Sequence, residues 1–146
     1  MRSKKGFTLI EMLVVIAIIA VLVSVIIPTV TSATTKAEAA ADAANLRAIL
    51  GFMNSVLITK EQTIEEACIN YTPPASKLNP DTDLYVLYTL PGVIDVYYTD
   101  GTSFYGLAYL SDIAENGSTS LSPVVTTPIT NYEWYKVGYG KHTPGT

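Results

Sequence analysis

Apolar residues are concentrated at one end of this 146-residue chain. Residues 12–27 are polar only at Ser24, and adding residues 7–11 gives a run of twenty-one. That matches the ~20 residues a helix needs to cross a hydrocarbon core at about 1.5 Å per residue. Glu11 is the exception inside the run. Pro28 ends it, removing a backbone donor and so kinking or interrupting a helix. The threonines after Pro28 weaken helix further. Beyond them a different helical pattern begins. Leu46, Ile49, Leu50, Met53 and Leu57 recur at i, i+3, i+4, i+7 and i+11, one apolar stripe. Ala33, Ala37, Ala40, Ala41, Ala44 and Ala48 form a narrow surface that would let helices approach closely. Glu38, Asp42 and Asn45 are expected on a shared solvated face. The pattern predicts one long bent helix over residues 7–58, apolar all round in its first half and amphipathic in its second.

The periodicity then changes. Thr63-Ile64-Glu65-Glu66 has capping-box spacing and predicts a short helix to about Asn70. Pro73-Pro74 and Asn79-Pro80 mark an irregular connection over residues 60–83. Residues 84–90, 93–98 and 103–110 are rich in β-formers, and Asp100-Gly101 between the last two signals a two-residue hairpin. That turn sets Ile94 opposite Leu107 and Val96 opposite Tyr105, on the face toward the helix stripe, with Asp95 and Tyr97 on the other. Residues 111–131, rich in Ser, Thr and Pro, are expected to be a loop. Residues 132–139 read as a last strand, Tyr132 and Trp134 on one side and Tyr135, Val137 and Tyr139 on the other. The fold class is α+β: a long helix whose C-terminal half packs on a small antiparallel sheet. Six of the ten tyrosines fall in the three central strands, where a packed ring and a wet hydroxyl suit a half-buried pleated surface better than an adhesive one.

Candidate chemistry adds little. Cys68 is the single cysteine, so it forms no intramolecular disulfide, and it reads as a small buried hydrophobe. His142 is the single histidine, far from Cys68 in sequence. Phosphate-cradling glycine loops, zinc spacings and nucleophile elbows do not occur. Asp81, Asp83 and Asp100 lack EF-hand spacing and read as solvated loop carboxylates. No catalytic residue, metal ligand or cofactor is therefore expected. Asn70-Tyr71-Thr72 and Asn116-Gly117-Ser118 match the N-glycosylation sequon, which short sequences often do by chance.

The junction before the apolar run is more specific. Arg2, Lys4 and Lys5 precede Gly6 and hold that end in the cytoplasm, with the remainder outside. The run is longer than the core of an ordinary secretory signal, and Ser24-Val25-Ile26 is a poor small-x-small cleavage site. A plain anchor would explain neither Glu11 nor the Gly6-Phe7 junction. Lys4-Lys5-Gly6-Phe7-Thr8-Leu9-Ile10-Glu11 resembles the class III signal of the type IV pilin family. The resemblance covers roughly residues 4–28; beyond them it is one of architecture.

That resemblance implies a cut between Gly6 and Phe7 by a membrane prepilin peptidase, N-methylation of Phe7, and an assembly role for Glu11. The domains expected are a leader (1–6), a transmembrane and filament-core helix (7–28), its amphipathic continuation (29–59), a helix-to-sheet connection (60–83) and a sheet head (84–146). In the family's filaments the part of the helix before Pro28, from about Ala20, loses helical order. Other copies of the chain, a platform protein, an assembly ATPase and minor pilins are the partners implied. The expected location is the cytoplasmic membrane before assembly, head outward, and then a surface pilus. Many Gram-negative pilins close a C-terminal loop with a disulfide, which a single cysteine cannot do; Gram-positive pilins often lack it. After the cut, six basic side chains face thirteen acidic ones, a balance of about −7 that disfavours nucleic acid as a partner. A pseudopilin of a type II secretion or competence system is the alternative reading. The tryptophan–glycine signature of major secretion pseudopilins is missing, since Tyr135 follows Trp134. A monomeric membrane-anchored binding or enzymatic domain is the third reading, and Glu11 disfavours it.

Overall fold

A computed structural model of the chain describes residues 6–89, 92–119, 121 and 132–142. It contains two compact units, Met1–Thr34 and Thr35–Thr146. Helix α1 (Leu9–Thr59) contributes to both. Within the first unit every described residue is exposed, and the most apolar window of the helix has a mean hydropathy of 3.2 with none of it buried. Such a surface is stable only in lipid or against other apolar surfaces. Helix continues on both sides of Pro28. Around it, hydroxyls donate back to main-chain carbonyls: Ser24 to Val21, Thr29 to Val25, Thr31 to Ile27 and Thr34 to Val30. Those bonds satisfy the hydroxyls in an apolar surround while loosening the helical ladder.

The second unit is the α+β head. Residues Leu46, Ile49 and Met53 of α1 are fully buried, and Leu50 and Leu57 pack against the same core. Thr63 caps helix α2 (Ile64–Asn70) with the reciprocal Thr63–Glu66 bonds its spacing predicts. Strands β1 (Asp83–Thr89), β2 (Val93–Thr99), β3 (Phe104–Tyr105), β4 (Glu133–Lys136) and β5 (Gly140–Lys141) form an antiparallel sheet in the order β3-β2-β1-β4-β5. Strand alternation sends Leu84, Val86, Ile94, Val96, Tyr98 and Tyr135 to the core shared with α1. On the reverse face Tyr85, Leu87, Phe104 and Trp134 are also buried and form a second, aromatic cluster with Tyr97. Phe104 lies nearest Trp134 in it, with ring centroids 5.1 Å apart.

Several expectations are corrected. Asp100–Gly101 does not make a two-residue hairpin. Residues 100–103 connect β2 to β3, because the Asp100 carboxylate accepts the Thr102 and Ser103 amides at 2.8 Å. The register therefore pairs Tyr98 with Tyr105 and Thr99 with Phe104, not Val96 with Tyr105 or Ile94 with Leu107. The strand expected over 103–110 stops at Tyr105. Helix α3 (Leu107–Asn116) takes over, burying Leu110 and Ile113 and ending at Gly117 in the left-handed region (φ 81°). Tyr109 is thus helical, and the first part of the expected 111–131 loop is helix. Residues 122–131 lie outside the described ones. At its N-terminus α3 needs Gly106: a Cβ there would lie 2.9 Å from the Tyr97 ring. Two side chains of α1 hold α3 in place. Lys36 Nζ donates to the Glu115 carbonyl at 2.8 Å, near the negative end of the α3 dipole, and Arg47 donates to Ser111 Oγ at 3.0 Å. The last strand is shorter than 132–139: after Lys136 the chain turns through Gly138 (φ 91°) into β5, leaving Tyr139 exposed.

Asp42 is the largest departure. It is not on a solvated face but fully buried, accepting from Ser76 Oγ (2.5 Å), Lys77 N (2.7 Å) and Leu78 N (3.0 Å). Glu38 and Asn45 are half-buried, whereas all six alanines of the predicted narrow surface are exposed.

Cys68 is buried, as its type suggests, and burial with the nearby Glu65 charge pushes its thiol up to about 12. The thiolate is the reactive form. Iodoacetamide at pH 8 is therefore expected to leave Cys68 unmodified in the folded chain and to alkylate it fully in denaturant. Rapid labelling without denaturant, read by intact mass, would refute the burial.

Candidate functional site

The chain's most unusual residue, Glu11, lies in the first turn of α1, and its carboxylate already has partners within the chain. Thr8 donates to Glu11 Oε2 from its main-chain N (2.8 Å) and from its hydroxyl (2.9 Å), and the Glu11 amide donates to Thr8 Oγ1 at 3.3 Å. This is the reciprocal arrangement of a capping box, with Thr8 just before the first helical residue and Glu11 three residues on. It repeats what Thr63 and Glu66 do at α2, where the Thr63 amide and hydroxyl hold the Glu66 carboxyl below its usual range. Thr8-Leu9-Ile10-Glu11 has the same spacing as Thr63-Ile64-Glu65-Glu66, so the signal was present in the sequence.

Two physical jobs follow for one side chain. Before any cut, Glu11 satisfies the free amide at the start of an apolar helix, where lipid offers no substitute donor or acceptor. It also sits where the helix dipole favours an anion. Phe7 and Gly6 lie immediately before this cap, both exposed. A peptidase acting at the membrane face would therefore meet an accessible, non-helical Gly6-Phe7 bond directly ahead of a capped helix. Cutting there would create an α-amine at Phe7, four residues from Glu11. Pro28, the remaining residue singled out from the sequence, lies well inside α1 among the back-bonded hydroxyls.

Among its described residues the head offers no comparable reactive centre. Among the described residues no group of three or more His, Cys, Asp or Glu side chains is placed to hold a metal ion. Asp83 is engaged by Lys136 at 2.7 Å, and Asp100 by its own turn. Tyr85 Oη lies 3.4 Å from His142 Nδ1, at the edge of the aromatic cluster. In the second sequon, Asn116 Nδ2 donates to Asp112 Oδ1 at 2.7 Å, so the atom that would carry a glycan is already engaged.

Comparison with known proteins locates the resemblance in the same place. Residues 1–27 match the family model described as the prokaryotic N-terminal methylation motif. No curated protein and no solved structure matches the chain. The matched residues contain the Gly6-Phe7 junction, the Thr8–Glu11 cap and the exposed apolar start of α1, ahead of a head built as a long helix on a small antiparallel sheet. The chain carries the class III, prepilin-like signal of type IV pilins and pseudopilins.

Proposed function

We propose that this chain is the structural subunit of a type IV pilus. In this reading a prepilin peptidase cuts between Gly6 and Phe7, Phe7 is N-methylated, and the product is drawn from the membrane into a surface filament. The observation that carries it is the coincidence, within residues 1–27, of the methylation motif, a capped glutamate and a helix whose every side chain is exposed. The apolar half of α1 can leave lipid for a filament interior because both are dry, and many such helices packed together hold the polymer without covalent links. Glu11 then sets the register: its carboxylate meets the Phe7 α-amine of a neighbouring copy. Pro28 and its flanking hydroxyls supply the bend. The protein's role is structural and not enzymatic. Its partners are further copies of itself, the peptidase, and the platform protein and ATPase that drive extraction; minor pilins join the same polymer. The head faces outward from the cytoplasmic membrane before assembly and lies on the cell surface afterwards.

Two measurements on the protein from its host test this. N-terminal mass spectrometry is expected to find a chain beginning at Phe7 and one methyl group heavier than its sequence, and immunogold microscopy to label surface filaments. Ordered filaments that retain residues 1–6 would overturn the processing step. A cut chain without filaments, whose deletion stops secretion or DNA uptake, would assign it to a pseudopilus instead.

A further inference from the structure

A cleft of about 220 Å³ lies in the head between the 76–82 segment, β2 and the start of α3. Neither the assembly reading nor the core accounts for it. It is smaller than the ~300–1,000 Å³ of ordinary small-molecule sites, which restricts an occupant to about one ring. Leu78 and Leu110 supply apolar lining, and Tyr98, Tyr105 and Tyr109 supply aromatic lining. The Tyr105 and Tyr109 rings meet edge-to-face, centroids 5.5 Å apart at 62°.

Its polar groups fall into two kinds. Four are already engaged: Ser76 Oγ between Asp42 and the Asn79 amide, Thr82 Oγ1 with the Asn79 carbonyl, Tyr98 Oη with the Pro74 carbonyl, and Tyr105 Oη with Asp100 Oδ2 at 3.5 Å. Two lining groups, the Asn79 carboxamide and the Tyr109 hydroxyl, have no hydrogen-bond partner among the described residues. Together they offer donors and acceptors beside aromatic carbon. No charged side chain among the described residues lines the cleft.

These features select a ligand class. A charged ligand finds no counter-charge on the lining side chains, and the Asp100 carboxylate beside Tyr105 is held by its own turn. A purely apolar one would leave the carboxamide and hydroxyl desolvated and unpaired. A nucleobase can stack on a single tyrosine face, but together with its sugar it exceeds the one ring that the volume admits. A neutral ring with one C–H face for an aromatic side chain and hydroxyls around its rim uses every group present. We propose that this cleft binds a single hexopyranose unit, free or at the end of a glycan. The proposal does not depend on the chain being a pilus subunit.

The test is saturation-transfer NMR on the full chain in a detergent without a sugar headgroup. The probes are the methyl glycosides of glucose, galactose, mannose and N-acetylglucosamine, with adenosine as a non-sugar ring. At least one glycoside is expected to receive saturation, strongest on one ring face, and adenosine none. Tyr109→Ala and Asn79→Ala are each expected to weaken that binding by about ten-fold or more. Tyr139→Ala, at an exposed position outside the cleft, is expected to leave it unchanged. Trp134 fluorescence reports folding of each variant; if Tyr109→Ala disturbs it, Asn79→Ala decides. Saturation of no glycoside, saturation indifferent to the cleft variants, or adenosine binding in the sugars' place would each overturn the proposal.

Discussion

Replacing Glu11 by alanine is expected to leave the chain in the membrane and to remove its filaments. Insertion depends on the apolar half of α1, and alanine at position 11 only lengthens that run. Assembly, in the proposed reading, depends on a carboxylate that meets the Phe7 α-amine of another copy. Without it that amine enters a dry interior unpaired, the costly way to break a buried ion pair. The expected fall in filament yield is therefore at least about ten-fold, read by shearing and immunogold labelling against an unchanged amount in the membrane fraction.

Alanine alone cannot separate the cap on Thr8, which the structure shows, from the proposed pairing with the Phe7 amine, because it removes both. Glu11→Gln does separate them. Glutamine at the third helical position can still reach back to the Thr8 amide, as it does in many capping boxes, but it carries no charge for the Phe7 amine. If charge pairing sets the register, glutamine fails as alanine does. Filaments at normal yield from Glu11→Gln would sink the register role and leave capping as the reason for an acid in the apolar run. Thr8→Ala is the converse: it removes the hydroxyl of the cap and keeps the charge, so it tests the helix start alone.

How much of this was legible in the sequence depends on the range of the interaction that decides each point. The stripe from Leu46 to Leu57 and the Thr63–Glu66 cap are governed by residues within four positions, and the structure has both where the spacing put them. Helix α3 was legible in principle. Leu107, Leu110 and Ile113 recur every three residues, and Gly117 stands ready as a left-handed stop. The aromatic and apolar alternation of residues 103–110 pointed to a strand and masked that signal. What tips the balance is the Asp100 side chain: by taking two amides of its own turn it lengthens the connection and shifts the pairing of β3. The second aromatic cluster was invisible for a different reason. Alternation shows that Tyr85, Leu87 and Trp134 share a face, but not that this face is buried too.

Asp42 shows the same limit most sharply and carries the largest stability prediction. On a helical wheel it is an ordinary polar residue beside Glu38 and Asn45. Its three donors come from residues 34 to 36 positions away, so nothing local announces them. Once the 76–78 segment closes over it, the carboxylate ties the irregular connection to α1. Two of the donors are main-chain amides that no β-strand satisfies. Asp42→Ala takes the acceptor from two part-buried amides and from the buried Ser76 hydroxyl, at about 1–3 kcal/mol for a fully buried group left unsatisfied. Partial relaxation and water entry reduce the sum, so about 3 kcal/mol is expected for the head, among the larger effects of single substitutions. For a unit of roughly this size that corresponds to a melting temperature lower by about 10 °C or more. Asp42→Asn keeps the shape and one strong acceptor but turns an amino group toward a donor, and should fall between. Ser76→Ala removes one of the three donors to Asp42 and the oxygen that accepts from the Asn79 amide, and should cost about 1–2 kcal/mol. Thermal unfolding of the full chain in detergent, followed by Trp134 fluorescence, gives the order wild type, Ser76→Ala, Asp42→Asn, Asp42→Ala. An Asp42→Ala variant as stable as wild type would mean that the connection is held by something other than this carboxylate.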